Sequence, residues 1–544
     1  MDNFFIKKIE KLFNSKQFNQ IKSEIEKLNE IQKKNPFILN LQGIIESANK
    51  NSIKAKSYFE EAIKQNPYHL HSLLNYAGIS YKDKSFNRII FLLKKYNERN
   101  PNNPKVLLNL ADLTFSAGYV DESIKFHKEL IKSKSYNLRD LSALIFLLNY
   151  DEKFSEQEYD KYCDLFNEIA AKSISHLNFN LDSYDKLKIG FLSNDLREHP
   201  VGYFILDLIK NIKNFYTIAF NLFESSGKEN KITKELKNSF SEWHDVGNLS
   251  SQDLANFIYE KKIICLFDID GYNAGNKIEV FKTKPAPIQI SWLGYLNSTK
   301  VKEIDYLVAD PFIIPKEKES SYSEKLIRLP NIWNAHSKLS NLNVNDLPAL
   351  KKNYFTFGSF NNFNKISNET AKVWSEILNN ISNSRLVLKT LDNVDNDYED
   401  YLLKKLNLAK EKVFFLKREE DKNKHLEHYN EIDIALDTFP YNGVTTSFES
   451  VWMGVPVLTK IGNNYSSRCG YSINKNLGLD EFIATDNKDY ISKAISFSDK
   501  NNLNNLNILR KSLREKASLS PLFDSKLFAE NFSKKIQEVI NNYT

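Results

Sequence analysis

Three stretches put residues capable of chemistry where a strand runs out. In the first, the apolar run Leu187, Ile189, Phe191, Leu192 leads into Ser193-Asn194-Asp195 and then Glu198-His199-Pro200-Val201-Gly202. His199, set before proline in a glycine-containing loop, is placed to touch a ligand. An unperturbed imidazole pKa of about 6.5 suits proton transfer, and the alternative is a packing histidine. In the second stretch, an apolar strand from Tyr354 to Phe360 leads into Asn361-Asn362-Phe363-Asn364-Lys365, where Lys365 is a compact cation suited to a diphosphate. In the third, Ile432, Ile434 and Leu436 alternate with Asp433 and Ala435 up to Asp437, and Pro440, Asn442 and Gly443 supply turn chemistry. Thr445, Thr446 and Ser447 then offer N-cap hydroxyls to a helix through Phe448 to Met453 that Gly454 ends. The first N–H groups of such a helix lack intrahelical partners and carry the positive end of its dipole. With the threonine hydroxyls they can hold a phosphate or diphosphate; an ordinary capped strand–helix corner is the alternative.

Side chains at strand ends need sheets to carry them, and the surrounding sequence supplies two. From Lys186, strands at Tyr216–Phe223 and Ile263–Ile269, a strand and tight turn within Pro285–Tyr295, and a closing segment Ile304–Pro311 alternate with helices at Tyr203–Ile212 and Ser251–Lys261, which predicts a mostly parallel sheet over residues 186–335. A linker rich in Asn and Ser, Ile332 to Leu350, precedes a second alternation over residues 350–500. There Ser367 is the N-cap of a helix over Ala371–Ile381, followed by a strand over Arg385–Thr390, a helix over Tyr398–Leu408 and a strand over Val413–Leu416. Two such lobes facing one another leave a cleft between their strand ends, with Lys365 on its wall. Residues 501–544 read as closing helices. Asp268 and Asp270 read as loop and turn acids, since no further carboxylates stand beside them at a metal-binding spacing. The acidic run Asp392 to Asp400 lacks the Gly and terminal Glu of a calcium loop.

The amino-terminal part, residues 1–150, has another grammar. Ala55, Phe59, Ala62 and Pro67, with Gly43 before them, occupy the small, aromatic, small and proline positions of a tetratricopeptide (TPR) unit, and Pro101 follows Pro67 after 34 residues. Leu110-Ala111 and Asp121-Glu122-Ser123-Ile124 suggest a third unit, although Ile89 replaces a small residue and Ser135 stands where proline belongs. Each helix pair cannot bury its apolar face alone, so the units stack, and such arrays offer a concave face to extended peptides; a spacer or dimerisation arm is the alternative. His69, His71 and His127 read as surface or packing residues, and Asp151 to Tyr184 as a polar helical link.

The 544 residues are too many for one core, and 41% hydrophobic with 26% charged residues is the composition of a globular protein. The net charge of +6 is a small difference between 75 basic and 69 acidic residues, so nucleic acid is not an expected partner. Cys163, Cys265 and Cys469 lie far apart with no CxxC spacing, which fits a reducing compartment. Charges at Lys7, Lys8, Glu10 and Lys11 and the lack of a long apolar run predict no signal peptide and no membrane span, making the cytoplasm the expected location.

The phrases GFLSNDLREHP, APIQISWLGY, IDYLVADP, YSEKLIRLP, FGSFNNFNKI and DTFPYNGVTTSFESVWMGVPVLT, in that order behind TPR-like units, resemble the soluble protein O-GlcNAc transferases, and within them the SPINDLY-like branch. The resemblance implies two Rossmann-like lobes of GT-B type behind a TPR superhelix. It implies inverting transfer of a sugar from a nucleotide sugar such as UDP-GlcNAc to Ser or Thr hydroxyls, with no metal or other cofactor. It makes Asn362 and Lys365 nucleotide and diphosphate contacts, Lys422 and His425 contacts near the uridine end, and Glu449 the acid that meets the ribose. Thr445 and Thr446, after Gly443, fall on the family's diphosphate-holding threonines, and His199 on its active-site histidine. Two positions depart from the pattern: Asn362 stands where the family has Gln, and Val444 where it has His. Both touch the donor pocket, so GDP-fucose is an alternative donor, and a TPR scaffold with unreactive lobes is the alternative from another class. The implied partners are a nucleotide sugar and a protein or peptide acceptor held by the array; a homo-oligomer is compatible with the sequence.

Overall fold

A computed structural model of the chain describes residues 3–171, 179, 184–224, 229–389, 396–419 and 421–543. It divides into two units, the first running to Asp140 and the second taking up most of the chain from Leu141 onward.

The first unit is a stack of antiparallel helix pairs: Pro36–Ala48 with Ser52–Gln65, Leu70–Asp83 with Asn87–Arg99, and Pro104–Ser116 with Val120–Lys132. Asn35, Asn51 and Asn103 cap their helices by accepting backbone N–H groups, and prolines occupy the first turn behind two of them, where a missing N–H costs nothing. Gly43 is small for a visible reason: a Cβ there would lie 2.4 Å from the Phe59 ring. Helices Asn3–Asn14 and Phe18–Glu26, ahead of the register read from Pro36, bury Ile9, Ile21 and Ile25 against Ile38, Leu41 and Ile45. His127 is a packing residue, as read from the sequence, and burial pushes its imidazole down to about 4.

The second unit opens with a helix over Glu156–Ala171 in the linking segment. Residues 172–178 and 180–183 of that link, like 392–395 of the acidic run, lie outside the described residues. Two parallel sheets follow. The first holds β1 (Asp185–Ser193), β2 (Tyr216–Asn221), β3 (Glu242–Asp245), β4 (Ile263–Asp268), β5 (Ile288–Ser291), β6 (Tyr306–Ala309) and β7 (Lys325–Arg328) in the order β3-β2-β1-β4-β5-β6-β7. The second holds β8 (Phe355–Ser359), β9 (Ser384–Lys389), β10 (Val413–Leu416), β11 (Ile434–Leu436), β12 (Val457–Lys460) and β13 (Ile483–Ala484) in the order β10-β9-β8-β11-β12-β13. Strands buried on both faces need continuous apolar runs, and Ile263 to Phe267 supplies one in full.

In each sheet the winding direction reverses beside the first strand, between β1 and β4 and between β8 and β11. Connections leave such a pair in opposite directions, so a crevice opens at its carboxyl ends, and there the three reactive stretches lie. The helices that matter for the crevice are α1 (Pro200–Asn211), α2 (Asn368–Asn380), α3 (Lys422–Glu427) and α4 (Thr445–Trp452). Helix α1 starts at Pro200, three residues before the sequence-based start at Tyr203, because proline's fixed φ suits the first helical position and His199 takes the N-cap. Ser367 caps α2 as expected, its hydroxyl accepting the Thr370 N–H.

The closing helices are α5 (Leu503–Ser518) and α6 (Ser525–Tyr543). Arg510 of α5, fully buried, donates to the carbonyls of Ile432, Tyr429 and Asn345 and so pins the approach to β11. Phe528 and Phe532 of α6 pack on Trp292 of the first lobe, with ring centroids 6.1 and 4.9 Å from it. The chain thus returns to the first sheet after completing the second.

Candidate active site

In the first lobe the site is built from the ends of β1 and β4. Ser193 donates its hydroxyl to Asp270 Oδ1 at 2.6 Å, the Asn194 N–H meets Asp270 Oδ2 at 2.5 Å, and the Asp195 N–H meets Ser193 Oγ at 2.9 Å. Asp268 accepts the N–H groups of Asp270 and Gly271. Both acids are therefore loop and turn acids, as the sequence suggested; burial pushes Asp268 up to about 6 and Asp270 well above the carboxylate range. This frame aims Asp195 at a guanidinium and an imidazole. Its Oδ1 is 3.0 Å from Arg197 Nη2, and its Oδ2 is 3.3 Å from His199 Nδ1.

His199 Nδ1 is also 3.4 Å from the Val201 N–H. With its proton on Nδ1 the ring donates to Asp195; with the proton on Nε2 it accepts from Val201 as a helix cap. Burial lowers the imidazole pKa, the Asp195 carboxylate only partly opposing it, so the ring is neutral at pH 7 and able to take a proton. Gly202 has to be glycine here: a Cβ would lie 2.0 Å from the Arg197 carbonyl oxygen, and no other residue lets α1 start this close to the loop.

In the second lobe Lys365 ends a single 3-10 turn, Phe363–Lys365, just after β8. Its Nζ donates to the Asn442 carbonyl at 2.8 Å and lies 4.4 Å from the Tyr441 ring centroid, and Tyr441 stacks on Tyr150 at 4.6 Å. Desolvation lowers the ammonium pKa to about 8, with Asp437 opposing the shift. Asp437 shapes the loop after β11. Its Oδ1 accepts the Gly443 and Thr438 N–H groups at 2.7 and 2.9 Å, its Oδ2 the Thr459 hydroxyl at 2.7 Å, and burial raises it to about 6.

The threonines sit differently from the sequence expectation. Helix α4 begins at Thr445 itself, with Val444 at the N-cap position and no side-chain cap, so Thr445, Thr446 and Ser447 lie inside the first turn. The reason is that Thr446 Oγ1 is engaged elsewhere, donating to Asn361 Oδ1 at 2.5 Å, while Asn361 Nδ2 reaches Thr438 Oγ1 at 3.2 Å. Gly443 fits between them; a Cβ would be 2.5 Å from Asn361 Oδ1 and 2.6 Å from Thr446 Oγ1. Asn361 is thus at the centre of the cluster. Asn362, the residue picked from the sequence, is exposed and turns its side chain back to cap the Asn364 N–H.

The third group lies along α3 and α4. His425 Nε2 is 2.9 Å from Glu449 Oε2, and Tyr429 donates its hydroxyl to the same oxygen at 3.2 Å. Burial would raise the Glu449 carboxyl, but His425, Lys422 and Lys389 more than offset it and hold it below its ordinary range. Lys422 crosses between lobes, its Nζ 4.1 Å from the Tyr203 ring centroid on α1. At the next residue, Phe204 of α1 meets Phe448 of α4 edge to face at 5.4 Å. The helix that His199 caps and the helix that Thr445 starts are therefore in direct contact.

Lys365, Gly443 and, through Asn361, Thr446 gather around Asp437, with Thr445 beside Thr446 in the first turn of α4; Lys422, His425 and Glu449 form a second group along α3 and α4, and His199 stands on the other lobe. Asp195, Asn361, Asp437 and Lys389 join the site without a motif in the sequence that marks them. Asp195 could have been found as a carboxylate four residues before the histidine within one turn; the others act across long sequence separations.

Among solved structures, an O-GlcNAc transferase mutant from Thermobaculum terrenum has the same fold, with a TM-score of 0.80 over 95% of this chain and 99% of that one at 23% identity. The class of fold is therefore a helical repeat region followed by two parallel-sheet lobes of GT-B type. The model of glycosyl transferase family 41 matches residues 158–340 and 338–532, and the chain belongs to that family. The probable UDP-N-acetylglucosamine–peptide N-acetylglucosaminyltransferase SPINDLY of Solanum lycopersicum is 32% identical over 366 residues, 66% of this chain and 39% of that protein. The corresponding SPINDLY of Arabidopsis thaliana is 30% identical over 375 residues, 66% of this chain and 41% of the relative. SEC of Arabidopsis thaliana, another probable transferase of that description, is 28% identical over 371 residues, 66% and 37% of the two chains. The chain thus matches about two fifths of the length of these relatives.

Proposed function

We propose that this protein is an inverting, metal-independent protein O-glycosyltransferase that moves N-acetylglucosamine from UDP-GlcNAc to Ser or Thr hydroxyls. The observation that supports the reading is the contact of α1, the helix His199 caps, with α4, the helix that starts at Thr445. In this reading the acceptor hydroxyl gives its proton to His199 Nε2 as its oxygen bonds to the anomeric carbon. The bond from that carbon to the diphosphate breaks on the opposite face, which inverts the configuration. Asp195 holds the imidazole with Nδ1–H toward its carboxylate and stabilises the imidazolium that forms. Negative charge grows on the leaving diphosphate, where the Lys365 ammonium and the first N–H groups of α4 stabilise it without rearrangement. The family and the names of the curated relatives support the donor and acceptor classes.

A second reading, O-fucosyl transfer from GDP-fucose, is favoured by one feature. Val444, apolar and bearing no hydrogen-bonding group, occupies the N-cap position beside the diphosphate threonines, where the resemblance expects His. Incubation of the purified chain with UDP-GlcNAc and with GDP-fucose, reading nucleotide release and sugar transfer to protein by mass spectrometry, separates the two. Release and transfer with UDP-GlcNAc alone is the expected result. Turnover of GDP-fucose alone selects the second reading, and silence with both defeats the enzyme.

A further inference from the structure

The carboxyl end of β9 brings to the Glu449 end of the cleft a lysine that no sequence motif singled out. Lys389 Nζ lies 2.7 Å from His425 Nδ1, on the opposite side of the ring from the Nε2 that meets Glu449. An ammonium has hydrogens and no lone pair, so it can only donate. Nδ1 must then present its lone pair, and the ring proton resides on Nε2, aimed at the carboxylate. The chain of bonds has one direction: Lys389 to Nδ1, Nε2 to Glu449 Oε2. Tyr429 adds a second donor to that same oxygen, and its hydroxyl also lies 3.1 Å from the Thr446 carbonyl on the first turn of α4. The tyrosine has one hydrogen to share between these two acceptors, so the Nε2–H of His425, at 2.9 Å, is the principal anchor of Oε2, and Oε1 is left for a ligand. Without the lysine, the carboxylate alone holds the proton on Nε2 and nothing fixes the ring from its Nδ1 side, so the Nε2–H contact with Oε2 loosens.

We propose that Lys389 is a positioning residue for the donor's ribose: by fixing the tautomer of His425 it orients Glu449 so that Oε1 accepts from the ribose hydroxyls. This rests on reading the cleft as a sugar-nucleotide site. Lys389 touches neither the diphosphate nor the reacting carbon in this assignment; it acts through His425.

The test uses the whole chain. Calorimetric titration with UDP and 2′,3′-dideoxy-UDP, and with GDP and 2′,3′-dideoxy-GDP, reads what the hydroxyls contribute. Loss of both hydroxyls is expected to weaken binding to the wild type about tenfold or more, and to Lys389→Met less than about threefold, with Lys389→Arg keeping the wild-type ratio. The donor KM of Lys389→Met rises correspondingly and is rescued in Lys389→Arg. A second readout needs no change at 389: nitrogen-15 NMR of labelled histidines in the wild type, with His425 assigned by its loss in His425→Asn, should show the proton on Nε2. A proton on Nδ1, a Lys389→Met protein that still discriminates the hydroxyls, or a wild type that binds both forms equally overturns the assignment of Lys389. Failure of every form to bind either nucleotide removes the sugar-nucleotide reading itself.

Discussion

Lys365 combines two properties that pull against each other: it is buried enough to have its pKa lowered to about 8, and the proposed reaction uses it as a cation. A bound diphosphate would restore the lost interaction and raise the pKa again, so the charge is held in reserve for the ligand. The sign of the pH effect follows. The ammonium is fully present well below pH 8, half lost in the free protein at about pH 8 and gone above it, so UDP affinity should fall above about pH 8 by titration calorimetry. In Lys365→Met that limb should be absent. The same variant should lower kcat at saturating donor by about 100-fold or more, roughly 3 kcal/mol of transition-state stabilisation. A rate within a few-fold of wild type would remove Lys365 from the chemistry. Asp195 is the complementary case. Asp195→Asn keeps the shape but presents an amide to Nδ1, favouring the wrong tautomer, so transfer should fall at least about tenfold while UDP binding is unchanged. Equal loss of both would mean the acid only supports the fold. Asn361, Asp437 and Lys389 were not legible in the sequence because an Asn, Asp or Lys in isolation carries no signal; each gains meaning from a partner between 36 and 85 residues away.

At the level of strands and helices, the alternation of apolar runs and turn residues announced the central strands correctly. It did not announce the edge strands β3, β7 and β13, because Glu242-Trp243-His244-Asp245 and Lys325-Leu326-Ile327-Arg328 are bounded by charges and lack an apolar run, and β13 is two residues long. Helix starts were the least legible feature. Proline moved α1 forward by three residues, and the Thr446–Asn361 bond took the hydroxyl that would have capped α4. The tight start of α1 gives a prediction of its own. Gly202→Ala places a methyl group 2.0 Å from the Arg197 carbonyl, so the loop carrying Asp195 and His199 has to move away from the helix. Overpacking of this kind costs about 1–3 kcal/mol, to be read as a lower melting temperature. Transfer should be lost far more than nucleotide binding, because Lys365 and α4 lie on the other lobe. A Gly202→Ala enzyme with wild-type kcat would show that the His199 loop does not act in the reaction.

For the molecule as a whole, the helical array buries a continuous core of its own from Ala55 to Leu130, while the two lobes are joined by α6 returning to Trp292. Scanning calorimetry should therefore resolve two transitions. UDP at about 100 times its Kd should raise the one belonging to the lobes by about 2.7 kcal/mol of stability and leave the array's in place. A single transition that shifts as a unit would show that array and lobes unfold together. From the chain alone one could read a helical array, two α/β lobes and the stretches that end at their strand tips, since periodicity, turn residues and local motifs are properties of neighbours in sequence. Which side chains meet across those tips was decided only in three dimensions. The parallel sheets order their strands by crossovers, so Asn361 finds Thr446, Lys389 finds His425 and Tyr203 finds Lys422 through packing that no local pattern encodes.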